Sequence, residues 1–147
     1  MAKETADKQA LIEKARNATS EDVAFMKKYA DQLSPSTMRA KWIHSPQEHE
    51  DQHGQSLATR SPEVIKQWAE ARKAVPATVP GTEHGNHLGV LRFNFPGYGG
   101  EKLQEVSWEQ WMKTFQDRQL VFLFQEHQKD GTMSNFFRFD SPKREDA

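Results

Sequence analysis

A chain of 147 residues, of which 35% are hydrophobic, predicts one compact domain with extensions and a modest apolar core. Its 20 lysines and arginines against 21 aspartates and glutamates give a net charge of -1, which argues against a strongly basic nucleic-acid-binding protein and against a polybasic membrane anchor. Cysteine is absent, which excludes disulfide bonds, thiol catalysis and thiolate metal sites.

The start of the chain lacks the apolar core of a secretory signal. No apolar run approaches the length of a membrane-spanning helix, and the longest covers residues 120–124. We therefore expect a cytoplasmic protein without a membrane partner.

Two helices are predicted in the first part of the chain. Residues 5–18 have a helix-forming composition with only a weak apolar stripe. Thr19 or Ser20 is a suitable N-cap for a second helix, whose apolar side chains recur at helical spacing. These side chains are Met26, Tyr29, Ala30 and Leu33. We interpret residues 1–43 as a helical extension and the polar residues 44–60 as a linker.

A core domain is predicted over residues 61–140. It begins with Ser61 as an N-cap and Pro62 at the first helical position, which predict a helix that buries Trp68. Apolar and polar side chains then alternate over residues 90–95, the pattern of a half-buried strand.

The last elements carry the clearest local signals. Ser107 and Gln110 form a capping-box pair at the start of an amphipathic helix. Strands are predicted at 120–125 and 133–139, and residues 141–147 are predicted to be a flexible tail. This order predicts an α+β fold, in which helices pack on one face of a small antiparallel sheet and an N-terminal helical extension precedes it.

Several segments of the predicted core domain resemble a group of small bacterial proteins without an established activity. The segments that carry the resemblance are residues 63–70, 76–79, 89–92, 95–98, 107–111, 123–126 and 134–137. The resemblance covers about residues 61–139 and implies one coherent domain. It implies no particular activity.

One sequence motif matches a zinc-hydrolase signature. His49, Glu50 and His53 fit the pattern H-E-x-x-H, which on a helix places both imidazoles on one face for zinc and the glutamate beside the metal-bound water. The neighbouring residues are polar, and Gly54 follows directly, which is not typical of such a helix. We retain His49 and His53 as a candidate metal site and a metal-dependent hydrolase as one alternative. The competing interpretation is a chance match in a polar loop.

Other catalytic signals are missing from the sequence. It has no nucleophile-elbow motif, and no pair of carboxylates stands out as a catalytic acid and base. The sequence leaves enzyme activity open but favours its absence, and we expect no cofactor.

Aromatic side chains are predicted on both faces of the last two strands. An open aromatic face would consist of Arg92, Phe122, Phe124, Phe136 and Arg138. Three fates remain open for it: burial under the N-terminal helices, contact with a protein or a second copy, and stacking of single-stranded bases. We favour a non-enzymatic interaction module, with single-stranded nucleic-acid binding as the second alternative.

Overall fold

The computed structural model describes residues 2–50, 52–83, 88–97 and 102–142. Helices in these ranges are α1 (Ala2–Glu13), α2 (Ser20–Lys28), α3 (Pro35–Arg39), α4 (Pro62–Ala71) and α5 (Trp108–Asp117). Strands are β1 (Lys41–Trp42), β2 (Leu57–Thr59), β3 (Val75–Thr78), β4 (Leu91–Asn94), β5 (Gln104–Glu105), β6 (Val121–Phe124) and β7 (Phe137–Asp140). The predicted α+β class is confirmed.

Three helices begin where their caps predict. The side chains of Thr19 and Ser107 accept the backbone N–H three residues ahead, and each cap completes a capping box. Ser61 accepts the Val64 N–H at 3.4 Å, and Pro62 occupies the first turn of α4. Local hydrogen bonding therefore fixes the starts of α2, α4 and α5.

The strands form two sheets rather than one. The four-stranded sheet has the order β1-β2-β6-β7, with a parallel β1–β2 pair and antiparallel pairs elsewhere. The three-stranded sheet has the order β4-β3-β5 and is antiparallel throughout. Two strands of the larger sheet come from residues before the predicted core domain.

Residues 57–59, within the predicted linker 44–60, form β2 between β1 and β6. All three are buried. The tail prediction applies mainly to residues 143–147, which lie outside the described residues.

The four-stranded sheet is covered on both faces. Val121 and Leu123 of β6 pack against apolar side chains of the N-terminal helices and their connections, including Met26 of α2 and Leu33 between α2 and α3. Phe122, on the opposite face of β6, belongs to a second core cluster with residues of α4, α5 and β4. The sequence predicts the two helices and the strand that cover this second face. It does not predict that they lie on this sheet.

The N-terminal helices are also joined to the sheet by polar contacts. The carboxylate of Asp140 on β7 accepts hydrogen bonds from the Ser34 N–H at 2.8 Å and from the Ser34 hydroxyl at 3.1 Å. It also accepts a bond from the hydroxyl of Thr37 in α3.

In the described residues, no helix is long and apolar enough to span a bilayer.

Candidate functional site

A groove of about 400 Å³ lies between the end strands of the two sheets. Its walls are residues 90–92, from β4 and the residue before it, and residues 137–139 of β7. Arg118 and Leu120, from the connection between α5 and β6, complete the lining. We refer to this set of residues as the arginine groove.

The groove runs along strand edges rather than across a sheet face. On a sheet face, only alternate residues of a strand point to one side. Here three consecutive residues from each side line the same space. β4 and β7 each stand at one end of the strand order of their sheet, and in the described part of the chain neither pairs with a strand on its other side.

Aromatic core residues hold the floor of the groove in place. Phe137 is half-buried, and its ring centroid lies 5.1 Å from that of Phe93. Phe139 is also half-buried and lies 5.8 Å from Trp111. The Trp111 indole N–H in turn donates to the Arg92 carbonyl at 3.1 Å, which ties α5 to β4. The floor is therefore continuous with the aromatic core.

Arg118 is positioned by the local structure. It is the C-cap of α5, and its guanidinium donates to the Gly89 carbonyl at 2.7 Å and to the Leu88 carbonyl. A guanidinium carries five N–H donors, so these two bonds leave others for a ligand. Arg118 thus holds the chain that leads into β4 and also faces the groove.

The other two arginines are more exposed. Arg92 donates to the neighbouring Leu91 carbonyl at 2.9 Å. Arg138 donates to the Ser34 hydroxyl at 3.4 Å, a long bond. Both side chains keep most of their donors unused by these contacts.

Among the described residues, the lining of the groove carries positive charge without an acidic side chain. No ion pair found in the described ranges includes Arg92, Arg118 or Arg138. By contrast, Glu50 Oε2 forms ion pairs with Arg16 Nη2 at 3.3 Å and with Lys41 Nζ at 3.2 Å. A groove lined by three arginines and a small apolar floor is suited to a ligand that carries a carboxylate or phosphate, which arginine can bind in a bidentate manner.

The structure places the five residues of the predicted aromatic binding surface in different parts of the molecule. Arg92 and Arg138 line the arginine groove, but Phe122 and Phe124 are only 0% and 2% exposed. Of the three fates left open for this face, burial applies to these two rings, so they cannot be part of a binding surface. The cover is Trp68 of α4 rather than the N-terminal helices, with ring centroids 5.3 and 6.3 Å away. Phe136 is 43% exposed and lies outside the groove lining.

Arg118 was missing from the predicted surface. A basic residue at a helix end is typical of a C-terminal turn and gives no sign of a ligand. Its relation to β4 and β7 appears only in the folded chain.

The H-E-x-x-H residues do not lie on a helix. His49, Glu50 and His53 are in the irregular segment between β1 and β2, and one residue of the motif, Asp51, lies outside the described residues. The helical geometry that the zinc-site hypothesis requires is therefore absent from this segment. In the described ranges, no group of three or more histidines and carboxylates is arranged to hold a metal ion.

The histidines of the motif have separate neighbours. His49 Nδ1 lies 3.3 Å from Glu126 Oε1, whereas the His53 ring lies 5.8 Å from the His127 ring. Glu50 is held by other contacts: the Gln52 N–H and the charges of Lys41 and Arg16 lower its pKa against a smaller desolvation effect. Such a carboxylate is a poor general base at neutral pH.

A second, smaller pocket of about 280 Å³ lies over α4 and β6. Arg72 on its wall donates to the carbonyls of Trp68, Gln125, Glu126 and Ser134. Burial lowers the pKa of Arg72 to about 10, against an opposing effect of the Glu126 charge. Because backbone carbonyls occupy this guanidinium, we interpret it as a structural tie between α4 and the segment from β6 to β7.

His44 connects α2 to the segment after β1. Its Nε2 lies beside the Asp22 carboxylate and its Nδ1 lies 3.5 Å from Glu48. Desolvation alone would lower the pKa of His44, but hydrogen bonds and charges from Asp22 and Glu48 together raise it above 6.5. The strength of these His44 contacts therefore depends on pH. His44 is not part of the arginine groove.

No protein-family model, curated protein or solved structure matches this chain. Function is therefore inferred from the chemistry and geometry of the groove.

Proposed function

We propose that the protein is a non-enzymatic interaction module that binds an acidic partner protein in the arginine groove. The observation that carries this proposal is that three arginines line one groove between two strand edges, with no acidic residue among the described lining residues. Uncompensated charge of one sign in a concave site raises the local concentration of oppositely charged ligands.

The surroundings of Glu50 favour a non-enzymatic binding protein over the metal-dependent hydrolase alternative. A catalytic base works best with a pKa near the operating pH. The contacts of Glu50 shift its pKa in the opposite direction, and its charge is already used by Lys41 and Arg16.

The burial of the aromatic rings favours a protein partner over single-stranded nucleic acid. Binding to single strands generally relies on aromatic faces that bases can stack on. Phe122 and Phe124 lie in the core, and Phe137 and Phe139 are half-buried among other rings, with Phe137 stacked on Phe122. The groove therefore offers charge and strand edges rather than stacking platforms.

Fluorescence anisotropy at low salt tests the proposal. The probes are a fluorescein-labelled hexaglutamate peptide and a labelled single-stranded oligothymidylate. We expect hexaglutamate to bind, and the double variant Arg92→Gln, Arg138→Gln to weaken this binding by about tenfold or more. Arg39→Gln is the matched control, because Arg39 is an exposed arginine outside the groove.

Two results would contradict the proposal. One is hexaglutamate binding that the double variant leaves at the level of the Arg39 control. The other is oligothymidylate binding that is tighter than hexaglutamate binding and depends on Arg92 and Arg138, which would establish the nucleic-acid alternative.

A further inference from the structure

The free edge of β7 has the form of an unfilled strand position. β7 pairs with β6 over four residue pairs, from Val121–Asp140 to Phe124–Phe137. No described strand lies on its other side. Such an edge presents unpaired backbone N–H and C=O groups. An added strand would pair with them at the usual distance between neighbouring strands, about 4.8 Å.

The edge is already fixed in its extended conformation. At one end, the Asp140 carboxylate is bound to Ser34 and Thr37. Along the strand, the rings of Phe137 and Phe139 are anchored in the aromatic core. A ligand that pairs with this edge would not bear the cost of ordering it, and preorganisation of this kind raises affinity.

The charge of the groove selects among possible strands. If β7 paired with β7 of a second copy, the arginines of the two grooves would be brought together, and like charges across a strand pair are unfavourable. An acidic peptide has the opposite charge. Charge complementarity therefore favours a partner segment over self-association.

The side chains of β7 also specify a pattern. Phe137 and Phe139 share one face of the strand, whereas Arg138 points to the other face. A strand paired with β7 would place an acidic residue opposite Arg138 and apolar residues opposite the two phenylalanines. Carboxylates at its flanks would meet Arg92 and Arg118 across the groove.

We propose that the partner's binding segment is an extended acidic peptide, with acidic and apolar residues in alternation, that adds a strand to β7 within the arginine groove. This inference rests on the proposed function and specifies the conformation and pattern of the ligand. Backbone hydrogen bonds supply affinity in such complexes, and side chains at alternate positions supply specificity.

The test compares three labelled peptides of the sequence Glu-Val-Glu-Val-Glu. One is unmodified, one is N-methylated on both valines, and one is N-methylated on all three glutamates. All three keep the carboxylates, but methylation removes N–H donors from one edge or the other. We expect the unmodified peptide to bind and at least one methylated peptide to bind about tenfold more weakly.

Amide hydrogen exchange provides the second measurement. The unmodified peptide is expected to slow exchange at residues 137–140, and Arg138→Gln is expected to remove this protection while Arg39→Gln retains it. The protein is used as the full chain in each experiment.

The outcomes separate this inference from the proposed function. Equal affinity of all three peptides, without protection of β7, would overturn strand addition while the acidic-partner proposal stands. Failure of the unmodified peptide and of hexaglutamate to bind would overturn both. A dimer in solution that protects the β7 amides without peptide would replace the peptide with a second copy of the chain.

Discussion

Replacing Asp140 by alanine is expected to lower the free energy of unfolding by about 3 kcal/mol. Asp140 is 9% exposed, and its carboxylate receives three hydrogen bonds from Ser34 and Thr37. A hydrogen bond to a charged group contributes about 1.5–3 kcal/mol. Thr37 is fully buried and would lose its partner without access to water, whereas Ser34 is partly exposed and would recover part of its loss by hydration.

Urea unfolding monitored by tryptophan fluorescence measures this loss. Asp31→Ala is the control, because Asp31 is an exposed aspartate just beyond α2. Asp140→Asn keeps an acceptor oxygen in place and is expected to be intermediate. If Asp140→Ala lay within about 0.5 kcal/mol of the Asp31 control, the carboxylate would not join α3 to β7 as the hydrogen bonds indicate.

Two further predictions concern the polar ties outside the groove. Arg72→Met is expected to destabilise the protein by about 3 kcal/mol in urea unfolding, because four carbonyls lose their donor, whereas Lys66→Met on the exposed side of α4 is expected to have little effect. Equal effects of these two substitutions would refute a structural role for Arg72. His44→Gln is expected to cost stability below about pH 6, with the cost falling as the pH rises through the raised pKa of His44, because only the protonated imidazole gains from Asp22 and Glu48. A pH-independent difference between wild type and His44→Gln in unfolding experiments from acidic to mildly alkaline pH would contradict this assignment.

Short-range signals account for the features that the sequence predicts well. The N-caps of α2, α4 and α5 lie at Thr19, Ser61 and Ser107 as expected. Each cap depends on hydrogen bonds that reach only three residues along the chain. Alternation over β6 likewise assigns Phe122 and Phe124 to a common face, which the structure confirms.

Long-range packing explains what the sequence could not predict. β2 has only three residues, too few for a periodic pattern, and it is a strand because β1 and β6 pair with both of its sides. The cover over Phe122 comes from Trp68, more than fifty residues earlier in the chain. Side-chain alternation states which residues share a face but carries no information about what packs on it.

The candidate site likewise combines residues that the sequence predicts with one that only the folded chain brings to the site. Arg92 and Arg138 were expected beside a sheet surface, and both line the groove. Arg118 could not be expected there, because the groove exists only where the edges of two separate sheets approach one another. A binding site made from strand edges leaves no contiguous motif in the sequence.

The charge distribution suggests that the groove is not optimised for stability. The chain has 21 acidic residues, yet none of the described ones lines the groove. Like charges held together repel each other, and binding sites commonly retain such unfavourable arrangements for function. The double variant Arg92→Gln, Arg138→Gln is therefore expected to unfold at the same urea concentration as wild type or a higher one, although it binds hexaglutamate more weakly. A loss of more than about 1 kcal/mol of stability would instead show that these arginines hold the fold together, and the groove would no longer need a ligand to explain its charge.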